Sequence, residues 1–299
     1  MYKTEDGGKT WNSLINVDEH TGVNDVVMDP RDSNVLYAST LQRRRHVYTY
    51  VGGGPGSGLH KSVDGGATWT KIHSGLPKVE LGRIGLSISP ANPEIIYAIV
   101  EAAERKGGFF KSTNRGASWE KQSSHVTSGN YYQEIIADPV DENTVYSMDT
   151  WMSVTYDGGK TFKGVGEVTK HVDNHCMWIN PMNNKHWLVG CDGGIYETFD
   201  AAKTWDFKKN LPVTQFYKVA VDNDYPFYNV DDIVAGSHNL IDEGYFDGAT
   251  LFDWWRRSAR ETRRERRRLR PGRRRDGAVD GGTIRQTQAT AGGDYRLGG

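Results

Sequence analysis

Cysteine is nearly absent from this chain. The two in 299 residues, Cys176 and Cys191, exclude a disulfide-stapled scaffold. Both fall in one predicted strand pair, where a bridge between neighbouring strands is geometrically awkward, so two buried thiols are expected. No apolar run approaches the roughly eighteen residues of a membrane helix, so no membrane partner is expected, and no secretory signal opens the chain. A surplus of charge is missing too, the formal net charge being −1. That balance hides a segregation: residues 256–275 hold 12 Arg against Glu261 and Glu265, a local +10, so the remainder carries −11. Outside that run the chain is acidic, and a nucleic-acid partner is not expected. Glycine and aromatics are plentiful, 35 glycines and 11% aromatic residues, which suits an all-β body with many turns.

One octapeptide recurs five times: Thr4-Glu-Asp6-Gly-Gly8-Lys-Thr10-Trp11, Ser62-Val-Asp64-Gly-Gly66-Ala-Thr68-Trp69, Ser112-Thr-Asn114-Arg-Gly116-Ala-Ser118-Trp119, Thr155-Tyr-Asp157-Gly-Gly159-Lys-Thr161-Phe162 and Thr198-Phe-Asp200-Ala-Ala202-Lys-Thr204-Trp205. The third residues are spaced by 58, 50, 43 and 43, the period of a repeated supersecondary unit. Within each copy the Asp or Asn can accept from amides further along a tight corner, and the following glycines tolerate positive φ. The closing aromatic starts the next strand. These residues read as structural staples, with the fifth corner the most strained because Ala202 stands in for glycine.

Between copies, an apolar residue stands four and two places before each of Pro30, Pro90, Pro139 and Pro181, the alternation of a half-buried strand ended by a turn. A second strand follows each turn, a short third strand leads into the octapeptide, and a fourth follows it. Four antiparallel strands per unit predict a β-propeller blade. Four complete blades are expected, with a half blade opening the chain and another beginning at Phe216, an open arc spanning residues 1–230. Residues 231–299 lose the rhythm. They read as an irregular Arg-rich tail, and a disordered basic arm, a helix seeded by residues 249–255 and an out-of-frame end stay open, the last favoured.

The octapeptide resembles the Asp box of the bacterial neuraminidase repeat. Together with residues 42–46, 170–175, 190–194 and 210–217, it makes residues 1–230 similar to a bacterial group of sortilin-like propellers often labelled glycosyl hydrolases. The resemblance implies that the boxes lie away from any active site and that the chain is a piece of a longer protein, whose remaining blades would be its partners. A secreted or periplasmic location is expected for that parent.

If the boxes and the proline turns share one face, the other connections share the opposite face. Those segments carry Arg45, His46, Arg83, Tyr131, Tyr132, Gln133, Asp149, His171, Asp173, His175, Asp192, Gln215 and Tyr217, whose aromatic, cationic and carboxylate groups suit stacking and hydrogen bonding to a glycan or an extended peptide. On a strand His171, Asp173 and His175 would point to one side. Metal ligation, a metal-free ligand or proton-transfer role, and packing are all open to them. Packing is favoured, and no metal or cofactor is expected. The favoured function is a non-catalytic binding scaffold. The alternative is a xyloglucanase-like or sialidase-like glycoside hydrolase, which needs two carboxylates about 5–10 Å apart. Asp149, Asp173, Asp192, Glu101 and Glu104 lie on the expected face, with no pair singled out by spacing.

Overall fold

The computed structural model describes residues 1–209, 211, 215–221 and 233–236. The chain divides into two compact units, Met1–Tyr245 and Phe246–Gly299. The second unit, with the arginine run, lies outside the described residues.

Strands β1 (Tyr2–Lys3) and β2 (Asn12–Ser13) pair around the first octapeptide as a half blade. Four blades follow: β3 (Thr21–Asp29), β4 (Asp32–His46), β6 (Gly58–Ser62) and β7 (Thr70–Ile72), with β5 (Thr49–Gly52) pairing the far end of β4; then β8 (Leu81–Ile88), β9 (Ile96–Ala102), β10 (Gly108–Ser112) and β11 (Glu120–Ser123); β12 (Glu134–Ala137), β13 (Val145–Met148), β14 (Ser153–Thr155) and β15 (Lys163–Gly164); and β16 (Asn174–Ile179), β17 (Trp187–Cys191), β18 (Gly194–Thr198) and β19 (Asp206–Phe207). Each sheet is an antiparallel meander. Strand β20 (Lys218–Val221) pairs antiparallel with β21 (Ile233–Gly236), which carries regular structure past Val230, where the sequence reading ended it. The rest of the expected tail lies outside the described residues. The fold is thus an all-β propeller of four-stranded blades. Among the described residues, the two-stranded sheets at either end pair with no other sheet. No described helix is long and apolar enough to cross a membrane.

The first strands β3, β8, β12, β16 and β20 each lie against the next, so the inner edge of every blade meets its neighbour. Side chains stitch this contact: Leu86 N–H donates to Asp25 Oδ2 at 3.0 Å, Asn24 Nδ2 to the Ile84 carbonyl at 3.3 Å, and Ala137 N–H to Ser87 Oγ at 2.9 Å. Apolar side chains fill the slabs between blades. Tyr37 and Leu59 pack with Ile84 and Phe110; Tyr97 and Phe109 with Ile135 and Val145; Tyr146 and Val154 with Met177 and Trp187. Full burial of each large apolar side chain contributes about 1.5–3 kcal/mol.

Every octapeptide forms the same corner. Asp64 Oδ1 accepts from Thr68 N–H at 2.8 Å and Oδ2 from Thr68 Oγ1 at 2.6 Å, while Ser62 Oγ donates to Asp64 Oδ1 at 2.7 Å and accepts from Gly66 N–H at 2.9 Å. At Asn114 one bond reverses: its Nδ2 donates to Ser118 Oγ at 2.8 Å. The hydrogen bonds from Thr68 hold the Asp64 carboxyl down at about 2. In the four complete blades the corner also ties to the proline turn of its own blade, as in Gly65 N–H to the Asn34 carbonyl and Gly158 N–H to the Asn143 carbonyl. The two sets of turns therefore share one face. The fourth and fifth corner residues take left-handed φ: 70° and 90° at Gly65 and Gly66, but 58° and 68° at Ala201 and Ala202. Two alanines thus sit in a region that disfavours a Cβ. At the equivalent Gly159 (φ 99°) a Cβ would lie 2.2 Å from Phe109. Gly159→Ala is expected to cost about 2–4 kcal/mol through overpacking and left-handed strain, and an unchanged denaturation midpoint would refute that geometry.

The closing aromatics are not equally covered. Trp119 is 5% exposed, Trp11 is 50% exposed, and Trp69 Nε1 donates to the Gly66 carbonyl at 2.9 Å. Trp205 packs beside Trp187, centroids 6.3 Å apart, and Phe162 stacks on His125 at 3.7 Å. Burial pushes the His125 pKa from 6.5 down to about 4. As pH falls through 6.5 the unfolded chain takes up this proton first, so that share of stability is lost between pH 6.5 and about 4 and is constant below. The thermal midpoint should therefore fall less steeply over this window in His125→Gln, and identical slopes would exclude His125 as the cause.

Candidate functional site

Opposite the octapeptide face, three neighbouring connections converge. The segment from β11 to β12 supplies Tyr132, that from β13 to β14 supplies Asp149 and Thr150, and that from β15 to β16 supplies Asp173. Tyr132 Oη donates to Asp173 Oδ1 at 2.7 Å, and its ring stacks on His175, centroids 5.2 Å apart. The Tyr217 ring also lies against His175, centroids 4.0 Å apart, and His175 Nε2 is 3.3 Å from Asp192 Oδ1. Five of the sequence candidates thus form one cluster of rings and carboxylates.

The backbone builds it. Asp173 has φ 61°. Its N–H donates to the Thr150 carbonyl at 2.9 Å and that of Asn174 to the Asp149 carbonyl at 3.0 Å, which pins the two connections together. Beneath them lies a buried ionic knot. Lys170 Nζ donates to Glu167 Oε1 at 2.9 Å, to the His171 carbonyl at 2.7 Å and to Asn174 Oδ1; Asn174 Nδ2 donates to Glu167 Oε1 at 2.8 Å; and Glu167 Oε2 accepts from Met152 N–H at 2.7 Å. The side chains of Lys170 and Glu167 are 0% and 2% exposed.

The two carboxylates sit in different surroundings. Partial burial raises the Asp149 pKa, the Thr150 N–H opposes this, and the negative charge of Asp173 raises it further. Asp173 instead accepts a phenol. Burial lowers the His175 pKa against the pull of Asp192, Glu134 and Asp173, so the ring stays neutral near pH 7. Burial also raises the Tyr132 pKa, keeping its hydroxyl a donor.

The other candidates stand apart. His171 is exposed, its Nδ1 2.7 Å from the Val172 carbonyl. The one-sided alternation read for His171, Asp173 and His175 fails because β16 starts only at Asn174 and the turn at Asp173 breaks the extended run. Gln133 is buried, its Oε1 accepting from Thr127 N–H and Oγ1 at 3.0 and 2.8 Å. Arg83, on β8, gives its backbone N–H to Glu101 Oε2 at 3.1 Å. Tyr131 is 51% exposed, with its ring 6.4 Å from that of Tyr132. Gln215 is exposed, and Arg45 and His46 lie on the β4–β5 hairpin. Among the described residues no group of three or more His, Cys, Asp or Glu is placed to hold a metal. Cys176 and Cys191 are buried free thiols.

Sequence reasoning missed Glu134 and Lys218, whose side chains meet at 2.8 Å, and Asp25, whose pKa is raised by burial. A signal existed. The alignment on the prolines puts Asp25 and Glu134 in the same register of the inner strands. The Glu167–Lys170–Asn174 knot lies in an aperiodic connection and left no such trace.

These features define a β-propeller whose cluster of rings and carboxylates lies opposite its repeated corners. No protein-family model matches the chain. It is similar to a xyloglucanase of Hypocrea jecorina, 28% identical over 203 residues, covering 65% of this chain and 21% of that protein. It is also similar to a probable oligoxyloglucan-reducing end-specific xyloglucanase of Neosartorya fischeri, 28% identical over 155 residues, 48% of this chain and 18% of that protein. The chain thus spans about a fifth of the length of these relatives. Among solved structures, the GH74 xyloglucanase from Xanthomonas campestris superposes with a TM-score of 0.56 at 16% identity, over 75% of this chain and 37% of that one. An ancestral GH74 enzyme gives 0.51 at 18% identity, over 76% and 30%. The chain is thus similar to glycosyl hydrolase-like propellers over this span.

Proposed function

We propose that these blades form the substrate face of a glycoside hydrolase acting on a xyloglucan-type β-glucan, with Asp149 and Asp173 as its acid–base carboxylates and the repeated corners acting as Asp boxes that only hold the blades. The observation that carries this reading is the unlike setting of the two carboxyls. One is pushed up by burial and by its neighbour's charge, so it can hold a proton to give to a leaving oxygen. The other accepts a hydrogen bond from the Tyr132 phenol. The exposed Trp151 and Tyr131 and the half-buried Tyr217 offer ring faces for sugars, while the buried Tyr132 holds Asp173 in place. The activities that name the relatives, both xyloglucanases, support hydrolysis over the non-catalytic scaffold favoured by sequence alone. Remaining blades of a longer parent would complete the cleft.

The test is calorimetric titration of the chain with xyloglucan oligosaccharides, beside an assay for reducing ends released from xyloglucan. Binding with hydrolysis supports the proposal. Binding that Tyr132→Ala weakens, with no hydrolysis, returns the site to a glycan-binding scaffold, and binding of an extended peptide alone would overturn the glycan reading.

A further inference from the structure

Among the described residues, only the first complete blade carries a long insertion between its second and third strands. In the others this connection is a short turn. The insertion is an ordered arm: β4 runs on through Arg43, Arg44, Arg45 and His46 and pairs with β5, Arg43 opposite Gly52 and Arg45 opposite Tyr50. Pairing of this kind puts Arg43, Arg45, Tyr50 and Gly52 on one side of the ribbon and Arg44, His46 and Val51 on the other. The base of the arm is braced. Gly53 N–H donates to the Gln42 carbonyl at 2.9 Å, Gly56 N–H to Gln42 Oε1 at 3.0 Å and Gln42 N–H to Ser57 Oγ at 2.9 Å, while Gly54 N–H reaches the Leu81 carbonyl of β8 at 3.0 Å.

The chemistry of the arm is one-sided. No Asp or Glu occurs between residues 33 and 63. Arg44 is held at His20, itself 3.1 Å from Glu19, whereas Arg45 is exposed and has no ion pair among the described residues. Beside it, the Tyr50 ring is folded back along the ribbon, against Gly52, where a Cβ would come within 2.4 Å of the hydroxyl. The Arg43 guanidinium lies 5.9 Å from that ring's centroid. At the tip His46 and Tyr48 stack at 5.8 Å and 16°, and Tyr48 is 87% exposed.

We propose that this arm binds an acidic polysaccharide, the fork of Arg45 taking the carboxylate of a uronic acid while the Tyr50 ring carries a neighbouring sugar face. A planar guanidinium matches a carboxylate in two parallel hydrogen bonds, and a flattened tyrosine suits a pyranose ring. The exposed ring faces favour a glycan over an acidic peptide. The surplus of −11 outside residues 256–275 repels a dense polyanion such as nucleic acid more than a sparsely charged glycan. The inference rests on the glycan reading of the neighbouring face and narrows its ligand from a neutral to a carboxylated polymer.

The test compares three probes by calorimetry on the full chain: neutral xyloglucan, the same xyloglucan with its primary alcohols oxidised to carboxylates, and polyglutamate. The oxidised polymer is expected to bind about tenfold tighter than the neutral one, one good charge-assisted contact. The gain should vanish in Arg45→Gln, in Tyr50→Ala and at high salt, with thermal midpoints unchanged. Equal binding of neutral and oxidised polymers overturns the arm proposal and leaves the face intact. A gain that survives Arg45→Gln overturns it as well. Binding of the oxidised polymer alone supports the arm and removes the neutral-glucan reading of the face, and failure of both polymers removes both. Polyglutamate binding as tightly as the oxidised glycan would assign the arm to acidic peptides instead.

Discussion

Replacing Lys170 with methionine is expected to destabilise the protein by about 3–5 kcal/mol, the cost of stranding a buried carboxylate without its counter-charge. Glu167 is 2% exposed and would lose its cation while still accepting from Met152 N–H and Asn174 Nδ2. Asn174 would lose a donor too. The change should also loosen the segment that holds Asp173 against Thr150, and glycan affinity should fall with stability. The double variant Lys170→Met with Glu167→Gln should recover part of the loss, because the amide keeps an acceptor without a buried charge. Chemical denaturation decides: a single variant within about 1 kcal/mol of the parent would mean that solvent reaches the knot.

The second large effect concerns chemistry. Asp149→Asn is expected to lower the rate of glycan cleavage by about 10²–10⁴-fold, the usual contribution of a general acid, while oligosaccharide affinity is retained. Asp173→Asn should also lose activity, and it gives a sharper sign. The charge of Asp173 raises the Asp149 pKa, so its removal lets that pKa fall, and the alkaline limb of any residual pH–rate profile should move to lower pH. A limb that stays in place or moves upward would show that the two carboxyls are not coupled, and the acid–base assignment would fail with it.

Much of the fold was legible because its determinants are local. The third strands at Gly58–Ser62, Gly108–Ser112 and Gly194–Thr198 lie where the residues leading into the octapeptide put them, and the inner strands lie where alternation before each proline does. The strained fifth corner was legible for the same reason: a φ of 68° at Ala202 follows from an alanine in a glycine's place. The site was legible only as a face. That Tyr132 meets Asp173 depends on pairing across 41 residues, which no spacing encodes. The run from His171 to His175 misled because alternation presumes extended backbone, and one left-handed residue, Asp173, turns it. The arginine arm looked irregular because its register is set by β5, four residues between a turn and the pair Gly53 and Gly54.

The apolar slabs between blades make each interface, and no single blade, the unit that melts. Tyr97 and Phe109 belong to one blade yet are buried with Ile135 and Val145 of the next, so a blade cannot open without exposing its neighbour. Within a blade the second strands, such as Val145–Met148 and Trp187–Cys191, are buried throughout, whereas the fourth, such as Lys163–Gly164 and Asp206–Phe207, are exposed. Opening should therefore run inward from the rim. Amide hydrogens of the fourth strands should exchange by local fraying, and those of the second strands only when two adjacent blades part together.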